Sequence, residues 1–203
     1  GDSQLAAYII ALLSDANTLI PQSADSDIKS EFLEKKIVVK TSLPLPETIA
    51  DDVQGVLNAI GRNIGIHKFL FQGPAGTGKT ETVKQISAIM QRELYVVNFS
   101  SVIDSRLGQT AKNITKLFAE INSFTRPDQT VVLFDEIDAL ALDRIDSHDI
   151  REMGRATSAL LNQMDDLSEQ IILFATTNLF SKFDKAFIRR FDAVIDFGRY
   201  TKE

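Results

Sequence analysis

Gly73-Pro74-Ala75-Gly76-Thr77-Gly78-Lys79-Thr80 follows an apolar run, Phe69-Leu70-Phe71, and opens a helical stripe of Val83, Ile86 and Ile89. Glycines 73, 76 and 78 let the backbone turn tightly, so that successive N–H groups converge on one point and form a nest for an anion. A helix beginning at Lys79 adds the partial positive charge of its N-terminus at the same place. The spacing G-x-x-x-x-G-K-[ST] between a strand and a helix is that of a phosphate-binding loop. It gives Lys79 reach to β- and γ-phosphates and Thr80 a hydroxyl for Mg²⁺. A chance glycine-rich turn would match all four fixed positions less than about once in a hundred chains of this length. The residues from Gly73 through Pro74, Ala75, Gly76, Thr77 and Gly78 to Lys79 and Thr80 are therefore expected to hold ATP.

Outward from this loop the chain alternates strand and helix. Strands are predicted at His67–Gln72, Leu94–Phe99, Thr130–Phe134, Ile171–Thr176 and Ala193–Phe197. Between them Ile114, Leu117, Phe118 and Ile121 mark one helix, and Ile150, Met153, Thr157, Leu160, Leu161 and Met164 mark another. Upstream, Pro46 suits a first helical turn, and Ile49, Val53, Val56, Leu57 and Ile60 repeat at helical spacing until Gly61 and Gly65. That order predicts an α/β domain over residues 46–203, a mainly parallel five-stranded sheet with helices on both faces. Residues 1–45 read as an appendage: a helix carrying Leu5, Tyr8, Ile9 and Leu12 behind Ser3, a polar linker from Pro21, and a short strand at Lys36–Val39.

The second chemical signal is Val131-Val132-Leu133-Phe134-Asp135-Glu136, an apolar strand ending in two acids. The carboxyl end of a buried parallel strand borders the crevice where such sheets bind ligands. Asp135 is expected to hold Mg²⁺, and Glu136 to orient or deprotonate an attacking water. Two solvated acids closing a strand are the plain alternative, and the loop upstream weighs against it. A glutamate beside the metal ligand also favours hydrolysis over transfer to a substrate hydroxyl.

Composition narrows the rest. The 203 residues are 44% hydrophobic, enough for a sizeable core. With 22 basic and 28 acidic residues the formal charge is −6, which argues against a nucleic-acid partner. No cysteine is present, so disulfides and thiolate metal sites are excluded. The apolar run Leu5–Leu13 is about half the ~20 residues a membrane helix needs, which leaves a cytoplasmic protein with no membrane partner as the expectation. Gly1 in place of methionine suggests a trimmed start. His67 and His148 stand apart from each other and read as structural, with no metal beyond Mg²⁺.

Beyond the acid pair lie Ala175-Thr176-Thr177-Asn178 and then Asp184-Lys185-Ala186-Phe187-Ile188-Arg189-Arg190-Phe191-Asp192. With the loop and Asp135-Glu136, this string resembles the core domain of the AAA family, of the bacterial type, within the AAA+ ATPases, over roughly residues 66–197. The resemblance implies a P-loop NTPase three-layer sandwich, the AAA+ large subdomain. The helical lid that the family places after the last strand is expected to be missing, because the chain stops at Glu203. It implies that the glycine-rich loop is a Walker A motif and the acid pair a Walker B motif. It further implies that Asn178 is the polar sensor beside the γ-phosphate. Arg189 and Arg190 would be arginine fingers reaching the ATP of a neighbouring subunit; a local salt bridge is their alternative role. Asn98 would be a nucleotide-sensing partner of Glu136.

The segment from Gly108 to Phe118 resembles the stretch just after the family's first pore loop, but Arg106 stands where an aromatic residue is usual. Arg144–Arg155 resembles the second pore loop or is a solvated face. Three functions fit: a hexameric homo-oligomeric ring that hydrolyses ATP to ADP to remodel a protein, a nucleotide-dependent switch or scaffold, and a nucleic-acid loader. Glu136, Asn178 and the arginines favour the first.

Overall fold

The structure, a computed structural model, describes residues 30–38, 47–62, 65–104, 106, 108–138 and 150–200. Its strands are β1 (Leu33–Lys36), β2 (Lys68–Gln72), β3 (Glu93–Val97), β4 (Thr130–Phe134), β5 (Ile172–Thr177) and β6 (Ala193–Asp196). Its α-helices are α1 (Glu47–Gly61), α2 (Lys79–Met90), α3 (Phe99–Val102), α4 (Gln109–Asn122), α5 (Ile150–Asp165) and α6 (Lys185–Ile188). The strands form one sheet in the order β1-β3-β4-β5-β2-β6. All neighbours from β3 to β6 pair in parallel, while β1 pairs antiparallel with β3.

Alternation of side chains across this sheet divides the core into two layers. Leu70, Val132, Phe134, Leu173 and Ala175 face α4 and α5, where Ile114, Leu117, Phe118, Leu160 and Met164 meet them. Phe69, Phe71, Val131, Leu133 and Phe174 face α1 and α2, where Val53, Val56, Val83 and Ile86 meet them. Strand β4 is buried along its whole length, as a central parallel strand covered on both faces should be. The predicted three-layer sandwich is the observed fold.

Most strand boundaries lie within one residue of expectation, and two places differ by more. The predicted strand Leu94–Phe99 stops at Val97: the N–H of Asn98 makes one last in-register bond to the Phe32 carbonyl at 2.8 Å, and Phe99 begins α3. The sheet also has a sixth strand. The short strand expected at Lys36–Val39 lies earlier, at Leu33–Lys36, where Phe32 and Leu33 enter the core and Ile37 is left 75% exposed. Ser30 prepares that strand by accepting the N–H groups of Phe32 and Leu33 on its hydroxyl. Part of the segment read as an appendage therefore completes the sheet. The helix and linker expected over residues 1–29 lie outside the described residues.

Candidate functional site

Strand order brings distant segments together. Because β5 lies between β4 and β2, the turns after these three strands stand side by side at the carboxyl end of the sheet. The turn after β2 is the glycine-rich loop, with positive φ at Gly73 (145°), Gly76 (78°) and Gly78 (88°). The loop feeds α2, whose first turn carries no side-chain cap at Gly78, so its opening N–H groups face the loop's interior. Phe71 anchors the strand below by packing on Phe174 and Phe197.

Gly73 is also a packing requirement. A Cβ there would lie 2.8 Å from the Gly198 nitrogen and 3.0 Å from the Phe197 carbonyl carbon, both backbone atoms. At Gly76 and Gly78 a Cβ would meet nothing within 4 Å. Gly73→Ala should therefore lower stability by about 2–4 kcal/mol, combining overpacking with a strained φ. Gly76→Ala should cost only about 1–2 kcal/mol, for φ alone. Urea unfolding of the two variants checks the difference, and equal losses would contradict the close approach.

Lys79 is 7% exposed and donates from Nζ to the carbonyls of Gly73 and Pro74, each at 2.7 Å, and to Asn178 Oδ1 at 2.8 Å. Burial pushes its ammonium below the ordinary 10.5, against the opposing pull of the Asp138, Asp135 and Glu136 carboxylates. Thr80 donates its hydroxyl to Asp135 Oδ1 at 2.8 Å, and Thr176 donates to the same oxygen at 2.6 Å. Thr176 Oγ1 in turn accepts the Glu136 N–H at 2.8 Å. Six sequence-predicted residues, Gly73, Pro74, Lys79, Thr80, Asp135 and Asn178, thus meet through hydrogen bonds spanning three strand ends. Thr77 closes the loop by donating to the Pro74 carbonyl at 2.8 Å, while Pro74, Ala75 and Gly76 are exposed at its rim.

Glu136 sits beside Asp135 with φ 49°, in the left-handed region that a non-glycine residue enters only at a cost. Two hydrogen bonds hold the turn there, from the N–H groups of Glu136 and Ile137 to the hydroxyl and carbonyl of Thr176. The Glu136 side chain is exposed, and among the described residues its carboxylate accepts no hydrogen bond, so the pairing expected with Asn98 is not formed.

The donors fit magnesium and a polyphosphate. Thr80 and Asp135 offer hard oxygens within contact of each other, and Mg²⁺ keeps most of its waters when one or two protein ligands hold it. Beside them lie a buried ammonium and a loop whose left-handed glycines expose N–H groups to an anion.

Arg189 and Arg190 lie elsewhere. They precede β6, whose first pairing is with Phe69 at the start of β2, so they stand at the end of the sheet opposite the loop. The five residues of β2 put roughly 16 Å between the two ends. Arg190 grips Asp165, at the end of α5, with Nε at 3.1 Å and a terminal nitrogen at 3.0 Å, and reaches the Ala186 carbonyl at 3.3 Å. Arg189 ends α6, is exposed, and has no side-chain partner among the described residues.

Arg106 folds back on Asp104, giving it both backbone and guanidinium N–H bonds and holding its carboxyl down at about 2. Leu107, His148 and the expected second pore loop at 144–149 lie outside the described residues. His67 is buried, with Nδ1 3.0 Å from the Gly65 carbonyl, and its backbone N–H donates to Asp192.

Two functional residues escaped the sequence reading. Thr176 ties the two acid-bearing turns together, and buried Asp138 accepts the N–H groups of Asn178 (2.9 Å) and Leu179 (3.3 Å) and the Thr177 hydroxyl. The available signal for Asp138 was a lone acid inside an otherwise apolar run, Ile137-Asp138-Ala139-Leu140.

Comparison with known proteins identifies the family of the domain that carries these residues. The family described as "ATPase family associated with various cellular activities (AAA)" matches residues 69–199. An uncharacterized AAA family ATPase, y4kL, from Sinorhizobium fredii is 41% identical over 132 residues, covering 65% of this chain and 39% of that protein. CD-NTase-associated protein 6 from Pseudomonas aeruginosa is 28% identical over 187 residues, covering 85% of this chain and 57% of its own length. A solved HORMA:CdnC:Trip13 complex from E. coli contains a chain that superposes with a TM-score of 0.57 at 20% identity, over 75% of this chain and 56% of that one. The chain spans 39% of the first of these relatives, well short of its full length. Among the described residues no helix is long and apolar enough to cross a membrane. From the loop at Gly73 to the turn beyond β6, the chain belongs to the AAA family of ATPases.

Proposed function

We propose that this domain binds ATP with Mg²⁺ at the Gly73–Thr80 loop and hydrolyses it to ADP and phosphate. The observation that carries the reading is the network joining Lys79, Thr80, Asp135, Thr176 and Asn178 across the ends of β2, β4 and β5. The loop N–H groups and Lys79 hold the phosphates, and Thr80 with Asp135 would hold the metal. Bound there, Mg²⁺ would offset phosphate charge. Glu136, exposed at the rim with a carboxylate that accepts no hydrogen bond among the described residues, takes a proton from water as the water oxygen bonds to the γ-phosphorus and the β–γ bridge breaks. Asn178 positions that water from the opposite side.

The arginines supply the reason for assembly. Standing at the far end of the sheet, neither reaches this chain's own loop, which supports action on a neighbour's phosphates in a ring, a homo-hexamer by family likeness. Arg189, exposed and unpartnered among the described residues, is the principal finger, and Arg190 must leave Asp165 to join it. Work on a protein partner in the cytoplasm completes the proposal. The net charge of −6 disfavours nucleic acid.

The binding step has a direct test. Lys79→Ala removes the ammonium that faces the phosphates and should weaken ATP binding at least about 100-fold, since charge-assisted bonds to phosphate are among the strongest available. Unchanged affinity by calorimetry, in a variant that melts cooperatively, would remove the loop from the binding site.

A further inference from the structure

Asp138 is a buried carboxylate that the hydrolytic scheme leaves without a task. It is 8% exposed and belongs to the turn after β4, yet its bonds go to the turn after β5. Oδ1 accepts the Thr177 hydroxyl and the Leu179 N–H, and Oδ2 accepts the Asn178 N–H at 2.9 Å. Hydrogen bonds to an ionised acceptor are roughly twice as strong as neutral ones, and burial strengthens them further. Thr177 Oγ1 also accepts the Leu179 N–H at 2.9 Å, so the three donors form one closed unit around the carboxylate.

Asn178 lies at the centre of that unit. Its backbone is held by Asp138 and its side-chain oxygen meets Lys79 at 2.8 Å. With its backbone held by Asp138 and its Oδ1 accepting from Lys79, the side-chain amide of Asn178 is turned toward the phosphate-binding loop. The Thr176 hydroxyl binds the Asp135–Glu136 side of the crevice in the same way, from the preceding residue of β5. Asp135 and Asp138, on the turn after β4, therefore both accept from residues 176–179, and these bonds tie the two turns together.

We infer that Asp138 is a positioning residue for hydrolysis: it locks the Thr177–Leu179 turn so that Asn178 presents its amide to the reacting water. The inference rests on the hydrolytic reading of Asn178 above. It separates from two other roles that Asp138 could fill. A counter-charge for Lys79 would govern nucleotide affinity, whereas a positioning residue governs turnover. A purely structural carboxylate would change stability without any special relation to Asn178.

The test is a double-mutant cycle on ATP turnover in the intact protein, with Asp138→Asn, Asn178→Ala and the pair. Asp138→Asn keeps one accepting oxygen but replaces the other with an NH2 group, which cannot accept, where N–H and O–H donors converge on both. It should lower kcat about 10- to 100-fold, the scale of an ångström-size misplacement, with KM for ATP within about threefold of the parent. The double variant should be no slower than Asn178→Ala alone, because a misplaced side chain that is absent cannot be misplaced further. Thr177→Val, which removes one donor, should slow kcat several-fold, and Thr177→Ser should restore it; this pair serves if Asp138→Asn fails to fold. Multiplicative losses in the cycle, or a raised KM at parental kcat, would overturn the inference. A slow Asn178→Ala beside a parental Asp138→Asn would overturn it while leaving the hydrolytic reading intact. Asn178→Ala at the parental rate would instead remove Asn178 from hydrolysis, and the inference with it.

Discussion

Glu136→Gln binds ATP with Mg²⁺ as tightly as the parent and turns it over about 10²–10³-fold more slowly; that is the expected result if Glu136 takes the proton from the attacking water. An amide keeps the size and hydrogen-bonding shape of the side chain but cannot accept a proton. The backbone reason for trusting this position is its conformation. A glutamate at φ 49° is strained by about 1–3 kcal/mol, and two bonds to Thr176 maintain the strain. Strain held in this way turns the chain sharply after Asp135, and among the described residues the exposed Glu136 carboxylate accepts no hydrogen bond. The substitution touches none of the bonds that hold the turn, so the midpoint of thermal unfolding should stay with the parent's. Phosphate release and calorimetry on the same preparation separate the two effects. Turnover at the parental rate would show that another group activates the water.

Removing the proposed fingers should give the other large effect. Arg189→Ala should lower turnover about 10³-fold while leaving ATP affinity nearly unchanged, because a guanidinium offsets charge on the transferring phosphoryl group. Arg190→Ala should cost less, since Arg190 is divided between that role and its two-pronged grip on Asp165. The trans geometry makes a sharper demand. Mixing the Arg189→Ala, Arg190→Ala double variant with Lys79→Ala should recover part of the activity, because the first contributes a working loop and the second contributes fingers at one shared interface. Failure to recover any activity, with the parent working at full rate as a dilute monomer, would make the arginines structural.

How much of this was legible in the chain depends on the range of the forces involved. The loop Gly73–Thr80, the buried strand β4 and the helices around Ile114 and Leu160 announce themselves because local periodicity and turn chemistry determine them. Strand β1 did not. Lys36–Val39 has the β-branched residues of a strand, but burial of Phe32 and Leu33 against α4 sets the register instead, and Ile37 is left in solvent. In the same way Arg190 and Asp165 are distant in sequence and meet only because α5 ends at the base of β2, where Lys68 Nζ reaches the Met164 carbonyl. Asp138 was hidden for a different reason. An isolated acid among apolar residues declares that it is partnered but not by what, and its partners come from the next strand over. Sheet order, with β5 between β4 and β2, is the non-local fact that joins them.

The proposed activity is hydrolysis of ATP at a site completed by a neighbour. Phosphate release per subunit, measured across a wide range of protein concentration with saturating ATP and Mg²⁺, tests it most directly. Specific activity should rise with concentration, level off as rings fill, and disappear when Mg²⁺ is chelated. A rate per subunit that stays constant down to concentrations where the protein is monomeric, or no phosphate release once the protein is fully assembled, would contradict it.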